Sequence, residues 1–117
     1  MKNNVIVEKS FDFAVRIVNL YRYLYEEKKE FVLSKQLLHS GTSIGANIEE
    51  AHGGYSEKDF IYKLQLSYKE LRETIFWLRL LEKTNYITSV QFNSMMDDAN
   101  ELRRIITSIL KSMKEKT

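Results

Sequence analysis

An all-α fold, an antiparallel up-down-up-down four-helix bundle, is predicted by three observations on the sequence. The chain of 117 residues has no proline, no cysteine, four glycines and 44% hydrophobic residues. That composition suits long uninterrupted helices and excludes both a disulfide scaffold and a cysteine-ligated metal. Apolar residues recur at alternating spacings of three and four through four separate segments, the signature of amphipathic helices. The breaks between these segments are short, which makes consecutive helices antiparallel neighbours. By length the chain is expected to form a single domain over 1–117 and to bury about two-thirds of the surface its unfolded state exposes.

The first helix is expected over about 10–28. Val5-Ile6-Val7 is a β-branched run that reads as an extended lead-in, and Ser10 is placed to cap the helix after it. Phe13, Ile17, Leu20 and Leu24 form one buried row, with Ala14, Val18, Tyr21 and Tyr25 in the row beside it. The charged run Glu26-Glu27-Lys28-Lys29-Glu30 breaks the pattern. A second helix follows over about 35–52, with Ser34 as its cap and Leu33 and Leu38 at the spacing of a hydrophobic staple. Leu37, Gly41, Ile44, Ile48 and Ala51 share its core face, and a polar row of Gln36, Ser40, Ser43, Asn47 and Glu50 runs one position earlier. Gly41 and Gly45 each cost a helix interior about 1 kcal/mol relative to alanine, so a close approach in the tertiary or quaternary structure should require them.

Gly53-Gly54 ends that helix. Ser56 with Asp59 resembles a capping box, and Tyr55 with Phe60 has staple spacing, which starts the third helix at Glu57 and carries it to about 83. Asn85-Tyr86 makes the next turn. Thr88 with Gln91 supplies another capping box, Ile87 with Phe92 another staple, and Phe92, Met95, Ala99, Leu102, Ile106, Ile109 and Met113 give a heptad stripe for a fourth helix over about 89–114. Its acidic residues Asp97, Asp98 and Glu101 precede Arg103, Arg104, Lys111 and Lys114, an order that complements the helix dipole. In the third helix Ile75 to Leu81 is apolar nearly all the way round. One bundle core cannot cover every side, so Phe76, Trp77 and Leu80 are expected at an interface, with a second copy of the chain as the simplest partner.

Eighteen basic against sixteen acidic side chains give a formal charge of +2, so a nucleic-acid surface has to be a local cluster. The N-terminal residues lack the apolar core of a signal peptide and no segment is apolar for the roughly 18 residues of a membrane span; the expectation is a cytoplasmic protein without membrane contact.

The chain resembles the bacterial four-helix-bundle family encoded in intervening sequences of 23S ribosomal RNA genes. The resemblance rests on Lys9 to Ala14, Leu33 to Leu37, Thr42 to Ala51, Lys69 to Thr74 and Trp77-Leu78. Its most specific part is the Ser-x-x-x-Asn-Ile-x-Glu pattern from Ser43 to Glu50. Many members have proline where this chain has Gly45 and glycine where it has Ala51. The resemblance implies a ring-shaped homopentamer with no catalytic residue and no cofactor. It extends to accessory proteins of diversity-generating retroelements, which implies contact with nucleic acid and with a nucleic-acid enzyme.

Ser43, Asn47 and Glu50 offer polar groups for a ligand, and a row flanking a helix core equally forms a hydrogen-bond network between helices or subunits; the second reading is adopted, with Glu70 and Glu73 as further members. Glu73 also stands four residues after Lys69, the spacing of a surface ion pair. Glu49 and His52 form one Glu-x-x-His pair, whereas a di-iron bundle needs two pairs and two further glutamates, and Gln36 stands three residues before His39 instead of a carboxylate. No phosphate-cradling loop or nucleophile-base set is visible, so an enzyme is not expected. Arg103, Arg104, Lys111, Lys114 and Lys116 against Glu115 make the C-terminal end basic, and Lys9, Arg16 and Arg22 extend that surface if the first and fourth helices pack side by side. Tyr23 is the freest tyrosine for stacking on a base. The sequence therefore reads as a non-enzymatic homo-oligomeric scaffold that contacts RNA or DNA, RNA foremost. The alternative is an adaptor that docks a partner enzyme without touching nucleic acid.

Overall fold

In the computed structural model, which describes residues 4–54 and 56–115, four helices follow one another: α1 (Asn4–Glu26), α2 (Leu33–His52), α3 (Glu57–Lys83) and α4 (Ser89–Glu115). Among the described residues the backbone of each helix lies beside that of the next and α4 beside α1, while the diagonal pairs stand farther apart, so the four stand at the corners of a square. Cross-helix partners fix the directions. Ser40 meets Thr74 while Ile44 meets Ser67, and Lys9 meets Glu101 while Arg16 meets Asp98; rising numbers on one helix pair with falling numbers on the next, the up-down-up-down arrangement. The bundle measures 47 × 21 × 19 Å, and the 27 residues of α3 account for about 40 Å of its length.

The first helix starts earlier than expected. Val5, Ile6 and Val7 are helical rather than extended, and Ser10 lies inside the helix, its Oγ donating to the Val7 carbonyl at 3.2 Å. Ile6 stands two turns before Phe13 and is completely buried. Burying such a side chain stabilises by about 1.5–3 kcal/mol, which offsets the modest helix propensities of the β-branched run. The helix also ends at Glu26, two residues short of the expected boundary, and Tyr25 is 41% exposed rather than core-facing. Tyr23, expected free, packs against the core instead.

The second helix begins at Leu33, and Ser34 does not cap it. The Glu30 carboxylate does so, accepting from the backbone N–H groups of Val32, Leu33 and Ser34 at 3.2, 2.9 and 2.6 Å, while the Ser34 hydroxyl donates back to the Glu30 carbonyl at 2.7 Å. A carboxylate at this end both satisfies orphan donors and complements the helix dipole. Glu30→Ala leaves those donors without their acceptor and is expected to lower stability by about 2 kcal/mol. Denaturant melts at fixed protein concentration check this, and an unchanged midpoint would contradict the assignment.

The later boundaries match the sequence. Ser56 accepts from the Asp59 N–H at 3.1 Å; the staple expected between Tyr55 and Phe60 involves a residue outside those described. Thr88 and Gln91 form a reciprocal capping box at 3.1 and 2.8 Å. Asn85, at φ 69°, closes α3 by sending the Tyr86 N–H back to the Leu81 carbonyl at 2.9 Å, a turn that asparagine tolerates.

The glycines of α2 serve packing within the protomer. A methyl group built on Gly41 would stand 2.6–2.8 Å from three side-chain carbons of Ile17, and one on Gly45 would stand 3.2 Å from the Ser10 carbonyl oxygen. They allow α1 to lie close against α2, with Ile17 and Ile44 both fully buried.

Candidate nucleic-acid interface

The α4 core row of Met95, Ala99, Leu102 and Ile106 is buried, which fixes where the remaining side chains of the helix can point. Arg103, Arg104, Lys111 and Lys114 are all exposed. Two α4 carboxylates that would offset them turn toward α1 instead. Asp98 accepts from the Arg16 guanidinium at 2.7 Å, and Glu101 pairs with Lys9 at 3.2 Å. Arg16 also donates to the Ser94 hydroxyl at 2.7 Å and to the Ser94 carbonyl at 3.2 Å. Its hydrogen-bonding capacity is thus spent on holding the α1–α4 seam.

The structure consequently divides the six cations expected to act together. Arg104 and Lys111 stand on the outer face of α4 with no ion pair among the described residues, whereas Arg16 is a seam residue. Arg22 is exposed but six residues on from Arg16, rotated by about 240° around the helix. It falls in a row with Phe11, Val15, Val18 and Tyr25, away from the seam. Arg103 turns toward α3, where it lines an open groove with Tyr68, Lys69, Arg72, Phe76 and Arg79, and donates to Asn100 Oδ1 at 2.9 Å. Arg72 and Arg79 were not singled out from the sequence, and Lys69 only as a partner for Glu73. Their spacings of three and seven put them within about 80° on one flank of a helix, a signal that periodicity analysis can detect.

Within one protomer the expected polar row does not close into a single network. Ser43 donates to the His39 carbonyl at 2.6 Å and Asn47 to the Ser43 carbonyl at 2.9 Å, both on their own helix. Glu50 reaches α3 as an exposed ion pair with Lys63 at 2.6 Å, where water screens the attraction. Glu73 is exposed, and Glu70 is half-buried with Oε1 lacking a partner among the described residues. The buried polar links between helices take Ser40 from that row and add two α3 residues outside it. Ser67 donates to the Ile44 carbonyl and Thr74 to the Ser40 hydroxyl, each at 2.9 Å. Ser67 and Thr74 fall in the core row of α3 with Leu64, Leu71 and Leu78, so their heptad positions were the available clue.

Burial, and secondarily repulsion from Glu73, raise the Glu70 pKa above 4.5, while His39 and Lys69 pull it down. A carboxyl group whose folded pKa is raised takes up a proton on folding in the range upward from 4.5. Stability therefore declines as the pH climbs from 4.5 through the raised folded pKa. Glu70→Gln is expected to raise stability at neutral pH and to flatten the decline. A variant with an unchanged pH profile in denaturant melts would refute this.

Apart from Val90 on α4 and Phe31 and Val32 in the α1–α2 connector, the exposed large apolar side chains lie on α1 and α3. On α3, Phe76 is 51% exposed and meets Trp77 edge-on at 5.1 Å, while Trp77 and Leu80 are half-buried. On α1, Phe11 is 62% exposed and Val15 45%; Tyr25 continues their row and is joined edge-on by Phe31 at 4.7 Å. The α1 stripe was not anticipated, although its spacings of three, four and seven were present in the sequence.

Among the described residues no group of three His, Asp or Glu side chains is placed to hold a metal ion. The His52 Nδ1 lies 3.0 Å from the Ile48 carbonyl, its ring stands edge-on to Phe60 at 5.6 Å, and Glu49 is exposed. No helix among the described residues is long and apolar enough to cross a membrane.

Fold and surface together define a small four-helix bundle whose distinctive features are unspent cations and exposed apolar stripes. The chain belongs to the 23S rRNA-intervening sequence protein family, whose model matches residues 2–108. It is 55% identical to a protein of unknown function from the S23 ribosomal protein family of Bacteroides thetaiotaomicron, whose crystal structure superposes with a TM-score of 0.93 over 95% of this chain and 99% of that one. No functionally curated protein matches the sequence.

Proposed function

We propose that the protein is a non-enzymatic, homo-oligomeric scaffold that binds nucleic acid, RNA foremost. The observation that carries this reading is the sorting of charge on α4, where Asp98 and Glu101 are paired to α1 and Arg103, Arg104 and Lys111 stand exposed. Cations not offset by neighbouring carboxylates suit a phosphate backbone, and repetition of one chain in an oligomer multiplies their field. Self-association falls first to α1, where Phe11, Val15 and Tyr25 make a row of open side chains, whereas Phe76 is flanked by the partly covered Trp77 and Leu80. Homopentamers and a cytoplasmic setting fit this assembly.

A second reading is favoured by the half-exposed Phe76: an adaptor that seats a partner enzyme on α3, as resemblance to accessory proteins of diversity-generating retroelements suggests. Charge reversal at Arg103, Arg104 and Lys111 distinguishes the two. Loss of RNA binding with the oligomer intact supports the scaffold, whereas unchanged RNA binding contradicts a phosphate-contact role for α4.

A further inference from the structure

We infer that the groove between α3 and α4 binds single-stranded nucleic acid, its phosphates held by Lys69, Arg72, Arg79 and Arg103 and a base stacked on Phe76. The inference rests on the nucleic-acid reading above and moves the principal contact from the outer face of α4 into this groove. Charge is the first argument. Four cations and one carboxylate, Glu73, line the groove, a local balance of +3 against a formal +2 for the whole chain. The rest of the protein is therefore slightly acidic, and a polyanion is directed here. Arg72 and Arg79 make no ion pair among the described residues, in contrast to Lys9 and Arg16 at the α1–α4 seam.

Shape and aromatic content select the kind of polyanion. The groove continues past Phe76 and Arg79 into a second hollow bounded by Leu80, Lys83 and Phe92. From Gln65 to Lys83 it follows about 27 Å of α3, long enough for several nucleotides. Tyr68 and Phe76 lie among the cations, and Phe76 keeps half its surface open while its edge contact to Trp77 holds it in place. Alternating cations and aromatic rings match a chain that alternates phosphates and planar bases, and only an unpaired strand can turn its bases onto a ring. An acidic protein segment would satisfy the arginines but does not carry a planar ring with every charged unit, as a nucleic acid does.

The test is fluorescence anisotropy of a labelled single-stranded oligonucleotide titrated with the full-length protein at several salt concentrations, with circular dichroism confirming each variant's fold. Arg72→Glu/Arg79→Glu is expected to weaken binding at least tenfold and to reduce the salt slope by about two. Phe76→Ala is expected to weaken it roughly fivefold or more with the slope unchanged, and Phe76→Leu, which keeps apolar contact with Trp77, should lose as much. Wild-type affinity in the Arg72/Arg79 variant, with loss in Arg104→Glu/Lys111→Glu, would overturn the groove and leave the nucleic-acid reading standing. A wild-type protein that binds no oligonucleotide would overturn both. Displacement of the strand by polyglutamate as readily as by unlabelled oligonucleotide would assign the groove to an acidic protein and overturn it as well.

Discussion

Gly41→Val is expected to destabilise the protein by about 3 kcal/mol, a large share of the roughly 5–15 kcal/mol that holds a domain of this kind together. The first side-chain carbon alone would meet three carbons of Ile17 at 2.6–2.8 Å. Ile17 is fully buried and β-branched, so it has little freedom to move aside. Helix propensity offers almost no compensation, since valine exceeds glycine by only a few tenths of a kcal/mol. The mechanism predicts its own rescue. Ile17→Ala alone opens a cavity and costs about 2–5 kcal/mol, but it removes all three carbons that Gly41→Val strikes. The double variant should be more stable than the sum of the two losses by about 0.5–3 kcal/mol. Strictly additive losses in denaturant melts would show that Gly41 is needed for something other than the approach of α1 to α2.

Phe11→Glu/Val15→Glu is expected to convert the proposed oligomer to single chains while preserving the fold. Both side chains are exposed in the protomer, at 62% and 45%, so the carboxylates enter water in the isolated chain and an apolar contact in the assembly. Placing two unpaired charges in such a contact costs several kcal/mol per interface, enough to shift association by orders of magnitude. Light scattering at matched concentration reads the mass and circular dichroism the helix content. An unchanged mass would place the interface elsewhere and return attention to Trp77 and Leu80.

Most of the fold was legible because each helix signals itself through a period of three and four and three of its ends carry local chemistry. The third helix runs over Glu57–Lys83 as expected, and the Thr88–Gln91 box starts the fourth. The misplacements have identifiable physical causes. At Val5 to Val7 local β-propensity gave way to burial of Ile6, a tertiary effect that a short window does not contain. At Ser34 the residue type was right for a cap, but Glu30 four positions earlier accepts from the N–H groups of Leu33 and Ser34 with a full charge, so the helix begins before Ser34.

The surface was less legible than the core. Composition showed that any basic patch must be local without showing which cations were spent, and the partners of Arg16 are about eighty positions away in sequence. The grouping of Arg103 with Lys69, Arg72 and Arg79 likewise depends on α3 and α4 lying side by side. The second-helix polar row was visible, yet its hydrogen bonds run mostly along the helix, while Ser40, Ser67 and Thr74 make the buried links.

The central claim, a nucleic-acid-binding oligomer, is tested most directly by measuring the affinity of the intact assembly for structured RNA at two salt concentrations, its mass having first been fixed by light scattering. The account predicts an assembly of several chains that binds RNA tightly at low salt and loses affinity by about a thousandfold or more between 50 and 200 mM salt, the response expected of six or more phosphate contacts. An intact oligomer that binds no RNA at low salt would contradict it and leave the adaptor as the reading that survives.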